Sequence, residues 1–257
     1  MNMITSEFDA LLSNYLDQRD LYPDRDSKKV MFNPIMDYLH KWHFDNCVHY
    51  LNMIGSDGYQ NNGAGNHGIP VRLFKSTDLL SVPTDKVVKT LLSSGTTGQL
   101  QSKIYLDAIT ARYQTIVLSK IMAEVIGSKR LPMLVIDSEQ IAKDRAVFSA
   151  RAAGIRGFST YGKDIHFALN TDLSFDYETT AKFFSKYKGR PKFIFGFTFL
   201  LWSSFVVNLK RLSQNMDFEG SLVLHGGGWK KLESEKVSKE KFRKKFLDLG
   251  FESVRDY

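Results

Sequence analysis

The sequence has a single cysteine, Cys47, so no disulfide can close within the chain, and no Cys-x-x-Cys pair is present to open a zinc or redox motif. That lone thiol suits a reducing compartment, and Met1-Asn-Met-Ile-Thr-Ser-Glu7 lacks the charged, apolar and small-residue order of a leader, so the expected location is cytoplasmic. No apolar run reaches the roughly 20 residues that a membrane helix needs. The longest, 193–209, is interrupted by Gly196, Thr198, Ser203, Ser204 and Asn208 and flanked by Lys192 and Lys210, which reads as a buried strand-to-helix segment. No repeat is present, and no low-complexity tract exceeds the Gly/Asn-rich stretch from Gly55 to Gly68. What remains is a globular chain of 257 residues, 43% hydrophobic and 25% charged, long enough to bury a substantial core and outside the compositions of disorder, collagen and coiled coil.

The net charge of +7 invites a nucleic-acid reading, which its distribution weakens. Between Lys230 and Lys245, eight basic residues stand against Glu233, Glu235 and Glu240, a net of +5 that leaves +2 for the rest of the chain. Interspersed charges on one expected helix mark a solvated face more often than a duplex-binding surface, so no nucleic-acid partner is expected.

Residues 1 to about 54 read as helical: Phe8, Leu11, Leu12 and Tyr15 keep helical spacing, and Asn33-Pro34 looks like the start of a helix carrying Ile35, Leu39, Trp42 and Phe44. The stretch 55–68 reads as a long surface loop. From residue 69, short apolar runs alternate with helical ones. Strands are expected at 89–93, 103–106, 132–137, 164–170, 192–195 and 221–224, and helices at 108–126, 177–187, 198–212 and 234–249. This alternation argues an α/β fold with a mainly parallel sheet, whose ligands sit at loops leaving the carboxyl ends of strands. The expected division is a helical segment with its loop over 1–68 and an α/β domain over 69–257.

Two loops carry most of the chemistry. Ser93-Ser-Gly-Thr-Thr-Gly98 follows the apolar Leu91-Leu92; its glycines permit a tight turn with exposed N–H groups and its hydroxyls add donors, the makings of a phosphate cradle. It lacks the Lys-Ser/Thr pair of the Gly-x-x-x-x-Gly-Lys-Ser/Thr pattern, and a plain polar turn explains the composition equally well. His225-Gly-Gly-Gly-Trp229 follows an apolar strand; three glycines let a planar ring lie on bare backbone, with Trp229 as a wall or as core, while a simple strand-to-helix turn is the alternative. His40, His43, Cys47 and His49 have spacing that suits zinc if 40, 43 and 47 share a helix face, but no second paired cluster supports it and ordinary packing is the better reading. Asp137-Ser-Glu139 ends a strand, as a ligand or magnesium contact or as a cap.

In their order and spacing these segments resemble the adenylate-forming superfamily of acyl-CoA synthetases and firefly luciferase, and within it the long-chain acyl-protein synthetase (LuxE) branch. The residues that carry the resemblance are 93–98, Gly226-Gly-Gly-Trp-Lys230, Val254-Arg-Asp-Tyr257, Pro70-Val71 and Phe74-Lys75-Ser76. The resemblance implies a two-step ligase: a carboxylate attacks the α-phosphate of ATP with Mg2+, giving an acyl-adenylate and pyrophosphate, and the acyl group passes to a thiol. That thiol is a protein cysteine, with delivery to an acyl reductase partner, or coenzyme A in phenylacetate-type ligases; the acid is carboxylic and fatty. It further implies that Ser93, Ser94, Gly95, Thr96, Thr97 and Gly98 bind phosphate, with Thr96 and Thr97 catalytic. His225, Gly226, Gly227, Gly228, Trp229, Asp256 and Tyr257 would border the adenine, and Phe195, Gly196, Phe197 and Thr198 the acyl pocket. No protein metal site is implied. Leu100-Gln101 stand where the superfamily has Pro-Lys, so no catalytic lysine passes to Lys103, and Cys47 is in the wrong region for the branch's acyl-accepting cysteine. The resemblance also places an aromatic-Gly-x-x-Glu motif and a small C-terminal domain beyond Tyr257, which makes the expectation a truncated chain, a nucleotide-binding fragment that does not turn over alone.

Overall fold

The computed structural model describes residues 6–17, 24–61, 68–92, 100–143, 150–208 and 216–257. The chain folds as two compact units, Met1–Ile121 and Met122–Tyr257.

In the first unit, α1 (Ser6–Leu16), α2 (Arg25–Asn46) and α3 (Val48–Asn61) precede the short α4 (Leu73–Ser76) and a two-stranded antiparallel sheet, β1 (Val87–Leu92) with β2 (Lys103–Asp107). Helix α2 begins nine residues ahead of Pro34, because the Asp24 carboxylate accepts from the amides of Asp26 and Ser27, each at 3.0 Å, and so satisfies donors that a helix start leaves open. Pro34 lies inside the helix rather than at its start, where it withholds one amide hydrogen bond. The helix stops at Asn46 because Cys47 is extended (φ −126°, ψ 101°), which takes Cys47 off the helical face of His40 and His43. The expected loop from Gly55 is instead a break in α3: Gly55, at φ 70°, adopts backbone that L side chains avoid, and helical residues continue to Asn61.

The strands flanking the Ser93–Gly98 segment pair with each other, Leu92 opposite Lys103 and Val87 opposite Asp107, and so form a hairpin apart from the parallel sheet. The expectation that this loop leaves a parallel strand is thereby corrected; ten residues close an antiparallel pair, whereas a parallel pair needs a longer crossover. Helix α5 (Ala108–Ile126) follows and runs into the second unit.

The second unit is α/β, with five parallel strands in the order β4-β3-β5-β6-β7: β3 (Leu131–Ser138), β4 (Gly162–Leu169), β5 (Lys192–Phe197), β6 (Ser221–Gly226) and β7 (Ser253–Asp256). β3 is an almost continuous apolar run, as a strand covered on both faces requires. Pro132 sits at its start, where pairing with β5 has not begun and the register with β4 shifts. The side chains alternate. Leu134, Ile136, Ile194, Val223 and Val254 join one core with Phe183 and Phe184 of α8 (Tyr177–Lys186), Leu201 and Phe205 of the segment after β5, and Phe242 and Phe246 of α10 (Lys239–Leu247). The short α6 (Glu139–Lys143) follows β3, and on the opposite face α7 (Ala150–Ser159) sets Phe158 on Phe195 with ring centroids 4.5 Å apart. Each buried Phe contributes about 1.5–3 kcal/mol of transfer free energy.

Two expected helices are reshaped. The segment after β5 starts as α9 (Thr198–Leu200) and widens into a π turn over Leu201–Val206, while 209–215 lie outside the described residues. The charged stretch from 234 is a 3-10 turn (Lys230–Glu235) followed by α10, which starts only at Lys239 because the Ser238 hydroxyl caps the amide of Lys241 at 3.2 Å.

Candidate functional site

β3 is flanked by β4 on one side and β5 on the other, so the chain reverses its direction of sheet growth between β3 and β5. In open α/β sheets, ligands bind in the crevice beyond the carboxyl ends at such a switch point. Those ends carry Asp137 and Ser138 from β3 and Gly196 and Phe197 from β5, with Thr198 directly after it and Ile136 paired to Gly196. The neighbouring strands add His225 and Gly226, paired to Gly196 and Phe197, and Asp256, paired to His225. Parallel register thus gathers into one row residues that lie up to 120 positions apart in sequence.

At the centre, Thr198 Oγ1 lies 3.0 Å from His225 Nδ1 and donates to the Gly226 carbonyl at 3.1 Å. A hydroxyl has one hydrogen, so with it given to Gly226 the imidazole carries its proton on Nδ1 and donates to Thr198. The Asp256 carboxylate, 3.9 Å from Nδ1 and 2.7 Å from Lys239 Nζ, stands beside that proton. Burial pushes the His225 imidazole below its ordinary value of 6.5; Asp256 opposes this and Lys239 adds to it. The ring is therefore neutral at pH 7, and it packs on Phe242 with centroids 4.5 Å apart.

The glycine turn that follows is bare for identifiable reasons. A Cβ on Gly226 would stand 3.0 Å from the Tyr257 carbonyl oxygen, and the Tyr257 amide in turn donates to the His225 carbonyl at 2.7 Å. A Cβ on Gly227 (φ 83°) would stand 2.6 Å from Phe197 Cδ1, so the planar ring lying on this backbone is Phe197. Gly228 (φ 66°) has nothing among the described residues within 4 Å of that position and presents the open face of the turn. Trp229 is buried against Trp202, with centroids 5.5 Å apart, and belongs to the aromatic core. Gly196 is tight as well: its missing Cβ would meet Ile136 at 2.9 Å, and Phe195 is buried against Phe158.

Sequence reasoning did not single out Arg151. Its guanidinium pairs with the buried Asp137 carboxylate at the β3 end, and nothing local in the sequence signals a pairing between a strand end and a helix fourteen residues on. Glu139, by contrast, forms an exposed surface pair with Lys143 at 2.9 Å. Ser93, Ser94, Gly95, Thr96, Thr97 and Gly98 lie outside the described residues. Of the histidine and cysteine cluster, His40 Nδ1 meets the Tyr50 hydroxyl at 2.8 Å and His43 Nδ1 meets Ser81 Oγ at 2.6 Å; among the described residues no three His, Cys, Asp or Glu side chains converge to hold a metal. No helix among the described residues is long and apolar enough to cross a membrane.

A family model described as acyl-protein synthetase, LuxE, matches residues 1–256. The chain belongs to the LuxE acyl-protein synthetase family. The match takes in the helical first unit together with the parallel sheet, so the row at the ends of β5, β6 and β7 sits inside a family of ligases. No curated protein matches the chain.

Proposed function

We propose that the chain carries the acyl-adenylate site of an acyl-protein synthetase, a member of the wider adenylate-forming superfamily. A carboxylate oxygen of a fatty acid bonds to the α-phosphorus of ATP, the bond from that phosphorus to the bridging oxygen breaks, and pyrophosphate leaves; the acyl group then passes to a protein thiol, which takes the carbonyl carbon and releases AMP. The observation that carries this reading is the glycine turn 226–228 at the carboxyl ends of a parallel sheet, with two consecutive positive-φ residues and one face open at Gly228. Family membership supports a protein rather than coenzyme A as acceptor.

The chain's own residues do the holding. Thr198 and neutral His225 fix the carbonyl and the direction of the glycine turn. The backbone of Gly228, beside Phe197 and Tyr257, offers a wall for adenine, and Phe197 and Thr198 border the carboxyl end of the acid. Ser93–Gly98, with Thr96 and Thr97, would supply donors to the phosphates, which is catalysis by positioning and charge stabilisation. In this reading Mg2+ arrives on the nucleotide phosphates, as magnesium commonly does.

The test is calorimetric. A non-hydrolysable acyl sulfamoyl adenosine should bind at one site at least 100-fold more tightly than AMP or the fatty acid alone, because it joins both halves of the intermediate. Affinity no better than that of AMP would refute the adenylate reading.

A further inference from the structure

The first unit holds a cavity of about 440 Å3, all of whose lining residues fall within Met1–Ile121. Six aromatic rings line it, those of Phe8, Tyr38, Trp42, Tyr50, Phe74 and Tyr105. Phe8 of α1 lies against Tyr38 of α2 with centroids 5.1 Å apart, so the two helices share one aromatic wall. Buried polar groups stand among the rings. His40 Nδ1 and the Tyr50 hydroxyl answer each other at 2.8 Å. Asp107 is placed differently: at 6% exposure it ends β2 and caps α5, its Oδ1 accepting the Thr110 amide at 2.8 Å, while its Oδ2 accepts no hydrogen bond among the described residues. Lys103, the one lysine on the lining, is paired with Asp78 at 3.1 Å.

A buried carboxylate oxygen is costly to leave unmatched, and aromatic faces attract a cation through the ring quadrupole, more strongly once water is displaced. One open oxygen of Asp107 among six rings therefore fits a positively charged nitrogen that still has a hydrogen to donate. The same carboxylate disfavours an acid or a phosphate, which sets this cavity apart from the groups handled by the adenylate site. At roughly 30 Å3 for each heavy atom with its hydrogens, the share of one water in the liquid, 440 Å3 admits about fifteen such atoms, so the nitrogen comes with an apolar body.

We propose that this cavity binds a protonated primary or secondary amine carried on an aryl or alkyl body, its N–H donated to Asp107 Oδ2 and its charge held among the rings. The inference rests on the cavity and not on the adenylate reading, and either can fail without the other.

Calorimetry on the full chain at pH 7 compares 2-phenylethylammonium with two molecules of similar shape: 2-phenylethanol, which has a hydroxyl in place of the charge, and 3-phenylpropionate, which reverses the charge. The ammonium ion should bind at one site at least tenfold more tightly than the alcohol, and the propionate should not bind. Cys47, the sole thiol of the chain, lines the same cavity, so saturation with the ammonium ion should slow its modification by methyl methanethiosulfonate at least tenfold. Asp107→Asn removes the charge and keeps a side chain that caps a helix well; it should lower the affinity of the ammonium ion at least tenfold with circular dichroism unchanged. Absence of saturable binding, an alcohol or propionate that binds as tightly as the ammonium ion, an unchanged Cys47 rate, or full affinity in a folded Asp107→Asn chain would overturn the proposal. Should Asp107→Asn fail to fold, the ranking of the three probes and the protection of Cys47 in the unmodified chain decide it.

Discussion

Arg151 grips Asp137 through two parallel hydrogen bonds, Nε to Oδ2 and Nη2 to Oδ1, each 2.6 Å long. The carboxylate is fully buried and its Oδ1 also accepts the Ser138 amide at 2.7 Å, so a charge at the carboxyl end of the central strand is paid for by a complete set of partners. The pair fastens α7 to β3 at the mouth of the switch-point crevice.

Removing one partner should therefore be expensive. Arg151→Met leaves a buried carboxylate without its cation and should cost about 3–5 kcal/mol in urea denaturation, whereas the double variant Asp137→Leu, Arg151→Met should recover most of that loss. Equal destabilisation of the single and double variants would place the energy in packing rather than in the pair.

Gly227→Ala tests the close approach of Phe197. At φ 83°, with a Cβ 2.6 Å from the ring, the substitution should cost about 1–3 kcal/mol in thermal unfolding. In a Phe197→Ala background the steric part should vanish, leaving roughly 1 kcal/mol of backbone strain.

The buried hydroxyl of Thr198 serves both His225 and the Gly226 carbonyl, so Thr198→Val should cost about 1–3 kcal/mol and Thr198→Ser much less. Urea denaturation of the two variants measures the difference directly.

His225 gives the second unit a pH dependence of definite sign. Its folded pKa lies below 6.5, so as pH falls through 6.5 the unfolded chain takes up a proton that the folded one refuses, and stability drops until the folded imidazole also protonates. Unfolding free energy measured from pH 8 to pH 5 should fall on acidification, and His225→Gln should flatten that slope. An identical slope in the variant would assign the effect to other groups.

How much of this was legible in the sequence depends on the range of the interaction. Leu131–Ser138 announces itself as a buried strand because its apolar run is local, and the glycine turn was visible as three adjacent residues. Asn33-Pro34 carries a strong local signal for a helix start, while the real start of the second helix rests on Asp24. The hairpin of β1 and β2 was read as part of the parallel sheet because strand pairing is a non-local choice that apolar pattern does not encode. The same holds for Arg151, whose importance comes from Asp137 across a helix-to-strand contact.

The most direct test of the adenylate assignment is calorimetric binding of an acyl sulfamoyl adenosine to the unmodified chain and to Gly228→Ala, whose new methyl enters the open face of the turn with no described residue within 4 Å. The account predicts saturable one-site binding that weakens at least tenfold in a Gly228→Ala chain whose circular dichroism is unchanged. Absence of binding, or equal affinity in both chains, would contradict it.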